Sequence, residues 1–335
     1  MLFSKKKGQK MSLGSTYLLV TIVNYRTPDL TIDCLRSLRG EVESIPGTKV
    51  VVIENDSGDD SLKEISAAIE KNSWGDWVSI LPSNYNGGYA FGNNLAIRSA
   101  LQQPLPPSYF FILNPDTQVI PNGLKVLVDF LEQHPDVGIA GCNLQTPDGE
   151  LKRLAFHFPS VVSEFESALC LGIVTKLLSK WVVPRYMGNE PSQIDWVSGT
   201  AMLIRRQVFE SVGLMDEGYF LFYEETDFCL QAKRGGWSCW YIPQSRIMNI
   251  GGQSRKKADN SNSKRQPQYW FDSRQRYFLK NHGLFYASLA DTARILGLAL
   301  WRIRQIIQQK PDHAPPQILI DSIRNSIFFK LRSYL

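Results

Sequence analysis

Between residues 17 and 116, short apolar, β-branched runs alternate with stretches of helical periodicity, and this alternation constrains the fold more than any other feature. Residues 17–23 (Tyr-Leu-Leu-Val-Thr-Ile-Val), 49–53, 78–81 and 109–113 are apolar at nearly every position rather than at every second one. Strands of that kind are covered on both faces, as in a parallel sheet. After the first run, Thr27 offers an N-cap oxygen and Pro28 stands at a first helical position, so a helix burying Leu30, Cys34, Leu35 and Leu38 is predicted next. Residues 61–70 and 90–101 are predicted helices by the same pattern. Strand alternating with helix gives an α/β class: a doubly wound, Rossmann-like, mostly parallel sheet with helices on both faces.

The second half is less regular. Residues 137–142 read as a strand, and Pro147-Asp148-Gly149 is a hairpin-turn signal within 145–157. A helix is expected over 160–180, a strand over 195–204, and a helix over 225–233 closed by Gly235 and Gly236. Beyond residue 260 the pattern is wholly helical, after a flexible join at 261–264. The expected organisation is a catalytic domain over 15–260, with halves of about 15–120 and 121–260, followed by a helical extension over 261–335.

Charge separates the same two regions. The net charge is only +5, but residues 255–335 carry fifteen Lys and Arg against five Asp and Glu, a balance of +10 that leaves the first 254 residues at −5. A basic tail on an acidic body suits an anionic partner such as a phosphate group or a membrane surface; a solvated helical face explains it equally well. Cys34, Cys142, Cys170, Cys229 and Cys239 contain no Cys-x-x-Cys pair, so they read as buried thiols in a reducing compartment rather than as zinc ligands or disulfides. The lysines at 5, 6, 7 and 10 precede no signal-peptide core, and no uninterrupted membrane span is expected. These features predict a cytoplasmic protein.

In an open parallel sheet, ligands sit beyond the carboxyl ends of the strands. Three polar clusters fall there: Asn24; Glu54 to Asp56; and Asn114 to Asp116. Each alone is ordinary loop chemistry, but three together favour one shared site. Asp116 follows a strand directly. It suits a hard cation such as Mg²⁺ or Mn²⁺ holding a diphosphate, against the alternative of an Asx-type turn. The run 86–94 (Asn-Gly-Gly-Tyr-Ala-Phe-Gly-Asn-Asn) sets glycines at a helix start, where backbone N–H groups can face phosphate or sugar. A tight turn explains those glycines too. The spacing of Gly87, Gly88 and Gly92 is not that of a dinucleotide fingerprint, which disfavours an oxidoreductase. At 223–227, Tyr-Glu-Glu-Thr-Asp puts carboxylates beside apolar surface at a helix start. That raises the pKa of a base for a hydroxyl, although acidic residues also favour helix N-termini for structural reasons.

In their order along the chain, these motifs resemble the inverting family 2 glycosyltransferases of the GT-A fold, and among them the bacterial rhamnosyltransferase-like branch. The likeness is carried by 21–25 (Thr-Ile-Val-Asn-Tyr), 51–57 (Val-Val-Ile-Glu-Asn-Asp-Ser), 86–94, 113–117 (Leu-Asn-Pro-Asp-Thr), 195–201 (Asp-Trp-Val-Ser-Gly-Thr-Ala), 220–230 and 251–254 (Gly-Gly-Gln-Ser). It implies that Glu225 is the catalytic base and that the donor is bound by Asn24, Glu54, Asp56, Gly88, Asn93, Asn114 and Asp116, with Arg274 and Arg276 reaching the diphosphate. Asp195, Gly199, Thr200 and Glu224 would line the acceptor side, and Asp116 with Asn249 would hold the metal. The sequence departs from the family pattern with Asn114 for a first aspartate, Asn249 for a histidine, and Glu for Asp at 54 and 225.

The resemblance further implies transfer of a hexose or deoxyhexose, rhamnose-like, from a dTDP- or UDP-sugar to a hydroxyl of a saccharide or polyprenyl-linked acceptor in surface polysaccharide synthesis, with no nucleic-acid partner. A catalytically inactive nucleotide-sugar or glycan-binding protein is the alternative. A nucleotidyltransferase ranks last, because residues 24–28 lack a Gly-rich triphosphate loop. In the tail, residues 285–307 are apolar with Asp291, Arg294, Arg302 and Arg304 interspersed, an amphipathic pattern with Trp301 at its polar edge. It predicts either peripheral association with the inner face of the plasma membrane or packing on the catalytic domain or on a second copy in a homo-oligomer.

Overall fold

The computed structural model describes residues 17–152, 155–185, 187–250, 265–309 and 314–330. Its centre is a mixed sheet. β1 (Leu18–Asn24), β2 (Thr48–Glu54), β3 (Val78–Pro82) and β4 (Tyr109–Leu113) pair in parallel in the order β3-β2-β1-β4. Beyond β4 the order continues with β11 (Ala201–Arg205), β6 (Val137–Gln145), β12 (Ser238–Asn249) and β5 (Thr117–Val119). β11 runs antiparallel to both its neighbours and β5 antiparallel to β12, while β12 and β6 are parallel. The chain moves from β1 outward through β2 to β3 and then returns to the other side of β1, so a crevice opens past the ends of β1 and β4.

The period of two in each strand divides the core. Leu18, Val20 and Ile22 join Val50, Val52, Tyr109, Phe111 and Leu113 in one cluster, closed by α1 (Pro28–Ser44), α2 (Ser61–Lys71) and α4 (Gly123–Gln133). Leu19 and Val23 face the other way with Val51, Ile53, Phe110 and Ile112, under α3 (Gly88–Leu101), α7 (Arg206–Val212) and α8 (Glu224–Arg234). Adjacent strand residues thus feed opposite layers, which is why the strands had to be apolar throughout. The hairpin expected at 147–149 is present: β7 (Leu151–Lys152) pairs antiparallel with β6, and Gly149 has φ +87°.

Several expectations change. The strand expected over 195–204 is interrupted: β9 (Ser192–Ile194), β10 (Trp196–Val197) and β11 are separate, and Ser198-Gly199-Thr200 forms a turn tied by the two hydroxyls 2.9 Å apart. The helix expected over 160–180 breaks where Cys170 adopts φ +49°, leaving α5 (Val161–Leu169), α6 (Gly172–Leu177) and a 3₁₀ turn. Cys170 is also exposed, unlike the four buried cysteines. Thr27 does not cap α1 with its side chain; its hydroxyl donates to Asn24 Oδ1 instead. α4 and β12 were not anticipated. The carboxylate of Glu41, from α1, caps the start of α4 by accepting from the N–H groups of Asn122, Leu124 and Lys125.

At the C-terminal end, α9 (Gln268–Gln308) bends at Gly283 (φ +78°) and packs along α5, where Gly297 lies so close that a Cβ would meet Ala168 Cβ and the Phe165 carbonyl at 2.8 Å. α10 (Ile318–Arg324) and α11 (Ile327–Lys330) fold back onto it. By length and composition α9 is apolar enough to cross a membrane, which revises the expectation of no such stretch. Its inward face nevertheless carries charges. Arg274 bonds Glu164 of α5 at 2.8 Å and Asp291 at 2.5 Å, and Arg294 lies 3.5 Å from Glu164, all with their side chains largely buried.

Candidate active site

The crevice past β1 and β4 has a volume of about 400 Å³. Its floor is set by strand ends. Asn114, directly after β4, is fixed by its N–H to the Thr200 carbonyl (2.9 Å). Asp116 follows, 4% exposed, with its carbonyl accepting from Ile250 N and its Oδ1 3.5 Å from Asn249 Nδ2 at the end of β12. The pairing of Thr117 with Asn249 brings these distant residues together.

One wall is the start of α3. Gly88 has φ +89°, and a Cβ there would fall 2.1 Å from the Phe220 carbonyl oxygen. No other residue type permits that approach. The next N–H, of Tyr89, donates to the same carbonyl at 3.0 Å, and the Tyr89 hydroxyl donates to Gly199 O at 2.6 Å. Asn55 Nδ2 bonds Asn86 Oδ1 at 2.9 Å, closing this side against the end of β2.

Adjoining it is the entry to α8. Phe222 and Tyr223 both have left-handed backbone (φ +73° and +68°), a strained pair of a kind that gathers at functional sites. They deliver Glu224 and Glu225 into the crevice at the first turn of the helix. Both carboxyl groups are pushed above the ordinary carboxylate range by burial. For Glu224 the neighbouring charge of Glu225 adds to the rise; for Glu225, N–H donation from its own backbone and from Gly199 offsets part of it. The Oε2 atoms of both accept no hydrogen bond from the protein, so each offers a lone pair to a ligand.

Of the residues singled out from sequence, Gly88, Asn114, Asp116, Gly199, Thr200, Glu224, Glu225 and Asn249 line this one crevice. Others do not. Asn24 is turned into the β1–α1 connection, where its Oδ1 accepts from Thr31 Oγ1 at 2.9 Å. Asn93 Oδ1 accepts from Thr21 Oγ1, joining α3 to β1. Glu54 bends back to the Ser57 N–H at 2.9 Å, and Asp56 is exposed outside the crevice. Asp195 is bound by Lys233 (2.8 Å) and His157 (3.1 Å); burial alone would raise its pKa, but these partners hold it below the usual value. Arg274 is consumed by Glu164 and Asp291. Arg276 pairs with Asp216, whose carboxyl stands at about 2 because Arg276 and Lys280 together outweigh its burial. Neither arginine reaches the crevice, since opposite charges nearer to them hold both. The 251–254 motif lies outside the described residues.

The structure adds Tyr25, Asn55, Asn86, Tyr89, Ser198, Phe220, Phe222 and Tyr269 to the lining. The aromatic run 219–223 was a visible signal for two of them. Tyr269 carries none, because it belongs to α9.

Among the described residues that line the crevice are three carboxylates, Asp116, Glu224 and Glu225, and no Lys or Arg. A cation beside these carboxyl groups is one way to accommodate a diphosphate. Among the described residues no group of three or more His, Cys, Asp or Glu forms a metal cluster. One carboxylate, Asp116, and one amide, Asn249, fit a hard divalent ion whose shell is completed by phosphate oxygens and water.

The family model for glycosyl transferase family 2 matches residues 19–213, from β1 through α7. The chain belongs to glycosyl transferase family 2. An N-acetylglucosaminyl-diphospho-decaprenol L-rhamnosyltransferase of Mycobacterium tuberculosis is 28% identical over 180 residues, 51% of this chain and 58% of the relative. The Haloferax volcanii low-salt glycan biosynthesis hexosyltransferase Agl10 is 24% identical over 309 residues, 90% of this chain and 88% of the relative. Rhamnosyltransferase WbbL of Escherichia coli is 27% identical over 161 residues, 47% and 59% respectively. This family 2 chain therefore aligns with less than two thirds of the length of the mycobacterial relative. Among solved structures, the mannosyltransferase PcManGT of Pyrobaculum calidifontis in complex with GDP-Man and Mn²⁺ superposes with a TM-score of 0.55 at 14% identity, covering 98% of this chain and 86% of that one. TarS 1-349 of S. aureus in complex with UDP-GlcNAc gives 0.52 at 12% identity, covering 93% and 82%. Both likenesses show the fold: it is GT-A.

Proposed function

We propose that this chain is an inverting glycosyltransferase that moves a hexose or deoxyhexose, rhamnose-like, from a dTDP- or UDP-sugar to a hydroxyl of a saccharide or lipid-linked saccharide in surface polysaccharide synthesis. The observation that carries this reading is the pair of carboxyl groups, Glu224 buried and Glu225 half-buried, facing the same crevice as Asp116. In the proposed step the acceptor hydroxyl gives its proton to Glu225 Oε2. Its oxygen attacks the anomeric carbon from the face opposite the diphosphate. The C–O bond to the diphosphate breaks, and its electron pair leaves with the nucleotide. A base with a raised pKa matches the demand of hydroxyl deprotonation near neutral pH better than an ordinary carboxylate.

Asp116 would hold the divalent ion together with Asn249, whose amide nitrogen faces Asp116 and whose oxygen would bind after a flip of the amide. When bound, the ion neutralises the charge that develops on the leaving diphosphate. Tyr25 and Asn55, at the ends of β1 and β2, and Asn86, just before α3, form the donor side in this reading. The chain divides in function as in charge: 15–260 carries catalysis, and the helices of 261–335 carry attachment.

The outer face of α9 supports peripheral membrane association. Phe285, Leu289, Leu296, Leu300, Ile303 and Ile307 share one helical face and are all exposed, the first and last at 79% and 76%. With Arg302 and Arg304 beside this stripe, a helix lying in an anionic interface accounts for both the apolar and the basic character. The buried Arg274–Glu164–Asp291 network fastens the opposite face to the catalytic body.

Release of nucleoside diphosphate from a panel of nucleotide sugars, with Mn²⁺ and with EDTA, tests the reading. Turnover with one donor, abolished by Glu225→Gln while donor binding persists, is expected. Donor binding without release by the wild type on any acceptor moves the chain to a sugar-recognition protein.

A further inference from the structure

The catalytic body is net acidic, yet one surface segment of it runs the other way. From 167 to 189 the chain carries Lys176, Lys180 and Arg185 and no Asp or Glu. This stretch contains α6 (Gly172–Leu177) and the 3₁₀ turn Ser179–Trp181 that follows it. Ile173, Lys176, Leu177, Lys180 and Trp181 are all exposed, Ile173 and Leu177 at 70% and 74%. Their spacing of three and four residues sets them on one face, with Val174, Thr175 and Leu178 half-buried behind them.

The segment is firmly seated. The Thr175 hydroxyl donates to Glu166 Oε1 of α5 at 2.6 Å, and Arg304 Nη2 of α9 donates to the Cys170 carbonyl at 2.7 Å. That second bond brings the start of α6 beside the end of α9 that bears the exposed Ile303 and Ile307. A single exposed apolar side chain is ordinary. Apolar and basic side chains sharing one fixed face, next to a second such face, mark an interaction surface.

We propose that the outer face of residues 173–181 is a second contact with an anionic bilayer surface, placed on the catalytic half of the chain. This rests on the reading of α9 as a peripheral membrane helix. Lys beside Leu, Ile and Trp is the composition of a segment lying in a charged interface. The apolar side chains enter the acyl boundary while the ammonium groups stay among headgroup phosphates. Trp181 supplies the amphipathic ring favoured at that depth. Protein–protein interfaces are instead depleted in Lys. α9 then holds the chain on the surface, and α6 fixes how the catalytic body faces it. One helix in the interface leaves the body free to roll about the helix axis, whereas two contacts do not.

The test uses the full chain and vesicles of phosphatidylglycerol mixed with phosphatidylcholine. Cys170 is the one exposed thiol, so Cys170→Ser/Leu177→Cys takes an environment-sensitive fluorophore on α6 alone, and Cys170→Ser/Lys63→Cys takes it on α2 as the control. On vesicles the label at 177 is expected to brighten and shift to the blue, and the label at 63 to stay as it is in solution. In co-sedimentation Ile173→Glu/Leu177→Glu is expected to weaken binding about tenfold. Lys176→Gln/Lys180→Gln is expected to weaken it about fivefold, with a shallower dependence on salt. Wild-type binding with an unchanged label at 177, and equal binding by the Glu variant, overturns the proposal and leaves α9 as the contact. A label at 177 that responds to protein concentration without vesicles assigns the face to a second copy and also overturns it. Failure of the wild type to bind these vesicles removes the reading of α9 and the proposal together. Thermal melts of each variant establish that the fold is kept.

Discussion

The crevice and the outer face of α9 break the ordinary rules of a folded protein in opposite ways. In the crevice, carboxyl groups lose their water without gaining a full set of partners, and the loop leading to them holds two non-glycine residues in left-handed backbone. On α9, large apolar side chains stay exposed in the described structure. Each departure costs stability, and in the proposed account each is relieved by something outside the chain: a proton donor and a cation for the first, an apolar surface for the second. The comparison teaches that the two halves of the function are physically separable. In the proposed account chemistry belongs to the sheet ends, whereas attachment belongs to a helix whose inner face packs on the body.

The sharpest way to break this division is at the base. Glu225→Gln keeps the shape and removes the proton acceptor, and kcat is expected to fall about 10³-fold with donor binding retained, measured by nucleoside diphosphate release and calorimetry. Next comes the cation. Asp116→Ala, or metal removal by EDTA, is expected to lower turnover on the order of 10²-fold, with Mn²⁺ restoring the wild type but not the variant. Changing Leu300, Ile303 and Ile307 together to Glu is expected to lower binding to phosphatidylglycerol vesicles about tenfold or more, since charged groups replace buried apolar ones. Co-sedimentation checks this, and unaltered vesicle binding would remove the membrane half of the comparison. Gly88→Ala forces a Cβ against the Phe220 carbonyl and is expected to cost about 1–3 kcal/mol in denaturant unfolding, with turnover falling as the loop shifts.

The smallest effect concerns pH. The folded state keeps a proton on Glu224 to higher pH than the unfolded chain, whose value is near 4.5. The native state therefore binds more protons above that point, and wild-type stability declines as pH rises toward the raised pKa. Glu224→Gln lacks this decline. Its melting temperature is expected to equal or exceed that of the wild type at pH 7, with the gap closing toward pH 4.

The parts legible in the sequence are those governed by local pattern. β1, β2 and β4 could be placed because their centres are apolar at nearly every position, and the polar residues ending them led to Asp116. The Tyr-Glu-Glu-Thr-Asp run placed Glu224 and Glu225 at a helix start. β12 escaped because Pro243, Gln244 and Ser245 interrupt its apolar pattern; the structure absorbs them in a register shift between Ile242 and Arg246. Arg274 looked like a diphosphate ligand because its acidic partners Glu164 and Asp291 are fixed only by the packing of α5 on α9. Asp195 was misplaced for the same kind of reason, through Lys233 and His157. Charge on a side chain is read from sequence, but which partner claims it is a property of the tertiary fold. Tyr269 makes the same point for the crevice lining, which it reaches from α9.

The central claim is single displacement at the anomeric carbon with Glu225 as the base. Its most direct test is ¹H NMR of the first product formed from a nucleotide sugar of known anomeric configuration, followed before any equilibration. A product of inverted configuration, absent with Glu225→Gln, is the predicted result. A product that retains the donor's configuration, or one formed at the wild-type rate by Glu225→Gln, would contradict the account.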